Sequence, residues 1–159
     1  MAIATVDPQV SLRSLRATGR DLVSLVAGVS AERIRREPAD GGWSPATTLS
    51  HLADAELVYG FRLRMVIAGA RPFLSTYDEE SWARRFAALD VDPRESLARW
   101  RAIRDSNLRV LDSLEDDEWK LSGLHGDLGE LTVARIAGRM VDHDREHLGQ
   151  IRRGLATRT

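Results

Sequence analysis

Four histidines occur in the chain, and three of them stand where they could bind a single metal ion. His143 and His147 are four residues apart, so on a helix both imidazoles project from one face, with Cβ atoms about 6 Å apart. A Zn–N bond of about 2.0–2.1 Å lies within reach of both rings. The spacing is typical of two imidazoles that bind one metal ion, although a polar helix edge gives the same pattern.

Helical periodicity places these histidines at the border of an apolar core. At about 100° per residue, His143 and His147 lie beside Ile151 on the inward side of their helix, and His51 shares a stripe with Val58. Burying three imidazoles without partners costs free energy, and a shared metal ion would satisfy all three nitrogens. We therefore predict one divalent-metal site formed by His51, His143 and His147.

His125 has a different setting. It lies in the segment Leu124-His125-Gly126-Asp127, which reads as a loop. We expect a solvent-exposed loop histidine that could line a site entrance but does not bind the metal. Tyr77 and Asp78 fall in a long connection, where sequence does not fix their positions relative to the site.

Asp144 falls near the middle of an apolar helical arc, so its carboxylate needs a partner. One hypothesis is that Asp144 orients a metal-binding imidazole, such as that of His51, through the ring N–H that the metal does not use. The alternative is a pairing with an arginine or with the indole N–H of Trp43. The sequence leaves both open.

Further polar residues are candidates for a pocket around the metal. Arg104 and Asn107 interrupt the apolar stripe of the third long helix and could face the metal or an anionic substrate. The favoured alternative for Arg104 is a side chain that passes the core edge to reach solvent. Arg62 lies on the His51 stripe and could line the same cavity, and Gln150 could hydrogen-bond a ligand or a histidine.

Composition narrows the function classes. The chain has 159 residues, of which 43% are hydrophobic and 30% charged, with a formal net charge of −1, so we expect one globular domain spanning residues 1–159. No basic block is present, and nucleic-acid binding is not expected. The absence of cysteine excludes disulfides and thiolate ligands and suits the cytoplasm. Met1–Val10 lacks the pattern of a signal peptide, and no segment is apolar enough to span a membrane.

Apolar residues recur with helical period along most of the chain. This predicts an all-α fold with four long helices, at about 9–28, 45–68, 93–114 and 133–154. Ser44-Pro45, Asp92-Pro93 and Thr132 are expected helix starts. Short helices are predicted after Ser30 and at about 78–88, the latter within the crossover between the second and third long helices. No convincing β-alternation is present, and 115–131 is expected to be irregular.

These motifs resemble those of the DinB-like (DinB/YfiT-type) family, in its broad and little-characterised bacterial branch. The resemblance is carried by Trp43-Ser44-Pro45, by His51-Leu52-Ala53-Asp54, by the segment His143-Asp144-Arg145-Glu146-His147, and by Gln150. It covers nearly the whole chain. Many relatives have glutamate three residues after the serine that begins the second long helix, whereas Thr47 stands here.

The resemblance implies a four-helix bundle in up-down-down-up order, with a metal site at His51, His143 and His147 that commonly holds nickel or zinc. It also implies frequent homodimers. Relatives of known activity include transferases and an isomerase that use low-molecular-weight thiols. A small-molecule substrate, which could be such a thiol, is therefore expected.

Two functions from different classes fit these observations. Three histidine ligands leave a coordination position open, which suits a metal-dependent enzyme acting on a small molecule as a thiol-dependent S-transferase or a hydrolase. No acidic residue of the third long helix faces inward, which counts against a typical metallohydrolase, and no catalytic residue is assigned. The alternative is a non-catalytic domain that binds a metal or small ligand. A weaker third reading has histidines that only stabilise the fold.

Overall fold

The computed structural model describes residues 7–39, 41–89 and 92–156. Residues 1–6 of the segment Met1–Val10, for which no leader is expected, lie outside this range, and so does Val91 of the crossover. The helices within it are α1 (Pro8–Val26), α2 (Ala31–Arg35), α3 (Pro45–Ala68), α4 (Glu79–Phe86), α5 (Pro93–Asp112) and α6 (Val133–Ala156). The strands are β1 (Phe73–Leu74), β2 (Ser122–His125) and β3 (Gly129–Thr132), and 3-10 turns occur at Ala87–Leu89 and Glu118–Lys120.

The predicted helix starts are confirmed, and side-chain caps explain them. The Ser44 hydroxyl accepts a hydrogen bond from the Thr47 amide at 3.1 Å, so a cap forms without the glutamate seen in relatives. Asp92 caps α5 through the Arg94 amide at 2.9 Å. Ser30 and Thr132 cap α2 and α6 in the same way. In the described part of the chain, no helix has the length and apolar composition needed to cross a membrane.

The four long helices α1, α3, α5 and α6 pack together as a bundle. The contacts between α3 and α5 show that residue numbers increase in the same direction along both helices. Arg99 contacts Asp54, and further along Arg104 contacts Glu56. This order of contacts is that of parallel neighbours, and it requires the long crossover that carries α4. The complete up-down-down-up order stays a prediction.

A small sheet lies at one end of the bundle, and the expectation of an irregular segment over 115–131 is wrong there. β1 pairs in parallel with β2, and β2 pairs antiparallel with β3. Gly129 opens β3 with a φ of 67°, a conformation that favours glycine. Strands of two to four residues are too short for alternation of side chains to be recognised in the sequence.

A layer of buried polar residues separates two apolar clusters of the core. One cluster includes Leu63, Leu111 and Met140. The other includes Leu52 and Trp100. Between them along the three helices α3, α5 and α6 lie four polar side chains that are at most 2% exposed: Glu56, Arg104, Asn107 and Asp144.

Candidate metal centre

The three predicted histidines converge between α3 and α6. The Nε2 atom of His51 lies 2.9 Å from Nε2 of His143 and 3.2 Å from Nε2 of His147. All three ligand atoms lie within 4.8 Å of one another. His51 and His147 are buried, and His143 is partly exposed. The fold therefore brings one nitrogen from each ring to a common point.

The spacing of these nitrogens fits a bound metal ion. Two ligands at about 2.0–2.1 Å from one ion, with angles between tetrahedral and octahedral values, lie roughly 2.8–3.4 Å apart. Both distances from the His51 nitrogen fall within this range. A neutral imidazole carries only one N–H, so Nε2 of His51 cannot donate fully to both neighbours. A cation satisfies all three lone pairs at once.

The environment keeps two of the ligands neutral, which is the state that binds metal. Burial, followed by the nearby His147, lowers the pKa of His51 to about 4. Burial, followed by the other two histidines, lowers the pKa of His143 to about 2. At pH 7 both rings therefore present unprotonated nitrogens.

Gln150 and two aromatic rings surround the cluster. The Nδ1 atom of His147 lies 2.8 Å from the side-chain oxygen Oε1 of Gln150. An amide oxygen only accepts, so Nδ1 carries the proton and Nε2 is left free. The Trp43 ring is stacked against His147 at 6.1 Å between centroids. The Tyr59 ring meets the edge of His143 at 5.7 Å. Gln150 and Trp43 are thus in contact with the cluster.

Arg62 lies in a neighbouring cavity of about 180 Å³, which Tyr59 lines but the three histidines do not. Its Nη2 donates to the Ser75 carbonyl at 2.7 Å, and its Cζ lies 5.9 Å from the centre of the Tyr77 ring. Burial lowers the pKa of Arg62. Asp78, by contrast, caps α4 by accepting from the amide of Ser81.

The expectation of an exposed His125 is wrong, because this residue ends β2 and is only 5% exposed. Its Nδ1 accepts a hydrogen bond from the Asp127 amide at 3.2 Å. Its strand β2 is the central strand of the sheet. His125 lines the cavity that contains Arg62 and does not join the three-histidine cluster.

Arg104 does not reach solvent, contrary to the favoured expectation. Its guanidinium bonds both carboxylate oxygens of Asp144, at 2.9 and 3.1 Å, and Oε2 of Glu56 at 2.7 Å. Burial alone would lower the pKa of Arg104, but the charges of Asp144 and Glu56 outweigh it and raise the pKa. The arginine therefore stays charged. Of the two alternatives for Asp144, the observed one is pairing with an arginine, and neither His51 nor Trp43 is its partner.

Asn107 also belongs to this polar layer and not to the metal cluster. Its Nδ2 donates to Oε1 of Glu56 at 2.8 Å and to the Glu56 carbonyl at 3.0 Å, while its Oδ1 accepts from Arg64 at 2.7 Å. These bonds join α3 to α5 a little more than one helical turn from His51 on α3. The layer fixes the relative positions of the helices that present the cluster.

Glu56 is the member of this layer that sequence reasoning missed. The buried face of α3 follows a three-four spacing, and Glu56 occupies the place between Leu52 and Tyr59 in that series. The spacing was a usable signal, because a carboxylate at such a place must be paired. Arg104 and Asn107 interrupt α5 in the same way.

The cluster can act as an open metal site. Three neutral nitrogens leave the full charge of a divalent ion uncompensated, and at least one coordination position stays free for a water or substrate atom. Within the described residues, no carboxylate joins the group of candidate ligands. The arrangement thus belongs to the class of helical bundles with a three-histidine centre.

The chain belongs to the DinB superfamily, whose family model matches residues 14–151. The Bacillus subtilis protein YfiT, named as a candidate metal-dependent hydrolase, is 28% identical over 113 residues, which cover 70% of this chain and 64% of YfiT. The aligned part therefore spans just under two thirds of YfiT. An Oceanobacillus iheyensis protein with the same kind of name is 24% identical over 83% of this chain and 76% of its own.

Solved structures agree with the fold. The YfiT structure, described as a four-helix bundle of unusual topology, superposes with a TM-score of 0.85 over 96% of this chain and 88% of that one, at 23% identity. TT2238, a four-helix bundle protein, superposes with a TM-score of 0.68 over 92% of this chain and 99% of that one, at 18% identity. The predicted four-helix bundle and DinB-type family are confirmed.

Proposed function

We propose that this chain is a metal-dependent enzyme that binds one divalent ion, nickel or zinc, through His51, His143 and His147. The observation that carries the proposal is the convergence of three imidazole nitrogens within 4.8 Å of one another, with both distances from the His51 nitrogen in the range that fits one ion. Imidazole ligands suit both metals. The names of the related proteins, candidate metal-dependent hydrolases, support hydrolysis of a small molecule as the activity.

The residues around the cluster have definable tasks in such an enzyme. A divalent ion held there supplies Lewis acidity to a water or substrate atom at its open position. Gln150 holds His147 in the tautomer whose Nε2 is free. Trp43 covers His51 and His147 and limits the access of water. The cavity beside Tyr59 gives a small substrate its approach.

A second candidate activity is the transfer of a small thiol, and one observation favours it. Glu56 and Asp144 are the buried carboxylates of α3 and α6, and both are bonded to Arg104. Neither is therefore free to act as a general base in hydrolysis. A thiol is more acidic than water, so its activation by the site has less need of a carboxylate base.

The remaining alternative is a domain that binds a metal or small ligand without catalysis. This alternative needs only the cluster and the cavity. A measurement of catalytic turnover distinguishes it from the enzyme. The homodimer and the cytoplasmic location expected at the sequence level stay predictions.

The first experiment is metal analysis of untagged protein by plasma mass spectrometry. We compare wild type with His143→Ala and with His125→Ala, the latter a matched loss of a histidine outside the cluster. We expect about one equivalent of metal in the wild type and in His125→Ala, and its loss in His143→Ala. No metal in the wild type, even after incubation with zinc and nickel, would refute the site.

Activity assays on metal-loaded protein then separate the candidates. Hydrolysis of an activated ester supports the hydrolase, and coupling of a small thiol to an electrophile supports the transferase. Either activity should disappear in His143→Ala. Bound metal without turnover in both assays points to the binding domain.

A further inference from the structure

The cavity that contains Arg62 lies one helical turn from the metal cluster. Ala55 follows His51 by four residues on α3, Arg139 precedes His143 by four on α6, and both line the cavity. Tyr59 links the two sites, since its ring both contacts His143 and lines the cavity. A molecule that reaches the cluster from this side therefore passes through the cavity.

This space is lined by hydrogen-bond donors whose capacity is only partly used, or not used at all, by acceptors among the described residues. Arg62 donates only to a backbone carbonyl, and neither Arg62 nor Arg139 forms an ion pair within the described residues. The proton of His125 is on Nε2, since Nδ1 accepts from a backbone amide, and no described residue accepts from that Nε2. The phenol of Tyr59 likewise has no hydrogen-bonded partner in the described chain.

The carboxylates of the cavity lie at its rim. Glu79 and Asp127 are exposed, so solvent and salt screen their charges. Arg62 is only 9% exposed and lies at the inner wall, where a guanidinium without a carboxylate partner is costly. An incoming anion would recover that cost through charge-assisted hydrogen bonds.

An apolar groove of about 410 Å³ adjoins the cavity. Arg62 and Tyr77 line both spaces. Leu57 and Phe61 line the groove and are 54% and 60% exposed. Trp82 lies at the same groove, against Tyr77. A ligand anchored at Arg62 can therefore lay a hydrocarbon part across these side chains.

We propose that the cavity binds the carboxylate of a small organic acid between Arg62 and Arg139, with the apolar part of the acid in the groove at Leu57 and Phe61. This subsite rests on the proposed function for its role in substrate binding, because it places the acid beside the metal cluster. Carboxylate binding itself needs no metal, so the two proposals can fail separately.

The test is a titration of ¹⁵N-labelled protein with hexanoate, followed by NMR at the Trp82 indole. Acetate and hexanol are matched probes that lack the tail and the charge, respectively. Arg139→Met removes one cation and keeps an apolar stem, and Arg152→Met is the matched change at another exposed position of α6. Arg62→Met is a second variant that removes the buried cation. If Arg62→Met fails to fold, Arg139→Met still tests the proposal.

We expect saturable hexanoate binding in the wild type, in Arg152→Met and in His143→Ala, and binding weaker by about tenfold or more in Arg139→Met. Acetate and hexanol should also bind more weakly than hexanoate. Absence of saturation in the wild type, or equal affinity in Arg139→Met, overturns the proposal. So does hexanoate binding that is lost in His143→Ala and kept in Arg139→Met, since the acid would then be a metal ligand. Metal content, measured separately, decides the proposed function.

Discussion

Gly60 of α3 should be intolerant of alanine, although alanine favours helices. A Cβ atom at this position would overlap the Asn107 side chain, at 2.7 Å from Nδ2 and 2.9 Å from Cγ. Asn107 is 1% exposed and cannot move away without losing its two hydrogen bonds to Glu56. Glycine is therefore required at position 60 by the close approach of α5, and not by the backbone conformation of the glycine itself.

The structure sets the size of the effect. Replacing a helical glycine by alanine gains about 1 kcal/mol of helix propensity. Loss of the bond from Asn107 to the Glu56 carboxylate costs about 1.5–3 kcal/mol, and loss of the bond to its carbonyl costs about 0.5–1.5 kcal/mol. We expect Gly60→Ala to destabilise the protein by about 1–3.5 kcal/mol, which lowers Tm by roughly 2–14 °C in a chain of this size.

Chemical and thermal unfolding followed by circular dichroism measure this effect, with two matched glycines as controls. A Cβ atom at Gly19 would lie 3.7 Å from the Trp100 ring, an ordinary contact, and one at Gly149 would meet only the flexible end of Arg153, at 3.3 Å. Alanine at either control should raise the free energy of unfolding by about 1 kcal/mol. The change in the free energy of unfolding should therefore have opposite signs at Gly60 and at the two control glycines.

A double-mutant cycle identifies the cause. In an Asn107→Ala background the overlap is gone, so Gly60→Ala should become stabilising, as at the control positions. A stabilising Gly60→Ala in the wild-type background would refute the close packing of α3 on Asn107. Equal destabilisation by Gly60→Ala in both backgrounds would show that Asn107 is not the reason.

Three further predictions concern the polar layer and the cluster. Arg104→Met leaves two buried carboxylates unpaired and should cost about 3–5 kcal/mol at pH 7, measured by urea unfolding, with partial recovery near pH 4, where carboxylates accept protons. Gln150→Leu frees the His147 ring and should weaken zinc binding about 10–100-fold in a competition assay with a chelator, with little change in Tm of the metal-free protein. Burial lowers the pKa of His51 to about 4 and that of His143 to about 2, so on acidification these histidines take up protons in the unfolded chain before they do so in the folded one. Metal-free wild type should therefore lose stability as the pH falls from about 6.5 towards 4. The loss should be smaller in His143→Ala. Equal acid sensitivity of the two proteins would contradict neutral, buried rings.

Much of this fold is encoded locally, and local patterns were enough to find it. The second long helix was predicted at 45–68, and α3 spans Pro45–Ala68, because a serine–proline start and a glycine stop act within one turn of each end. The i, i+4 spacing of His143 and His147 depends only on helix geometry. The position of His51 on a stripe with Val58, at the border of the apolar core, likewise depends only on helix geometry.

Other features were beyond the sequence because their partners lie far apart along the chain. Arg104 is 40 residues from Asp144 and 48 from Glu56, and its choice between the core and solvent is decided only when three helices meet. His125 is buried at the end of β2, a strand that pairs with β1 from the far side of the crossover. Strands this short have no readable period of their own.

The sequence by itself thus determined the long helices and their caps and singled out three histidines as candidate metal ligands, since each of these inferences depends on residue type and on spacing within a few turns. The tertiary structure decided which charges neutralise one another in the core, and it turned a supposed loop into a small sheet. It also decided that Arg62, His125 and Arg139 share a cavity beside the metal cluster. The physical reason is that burial and pairing are properties of positions brought together by packing, and no local pattern specifies them.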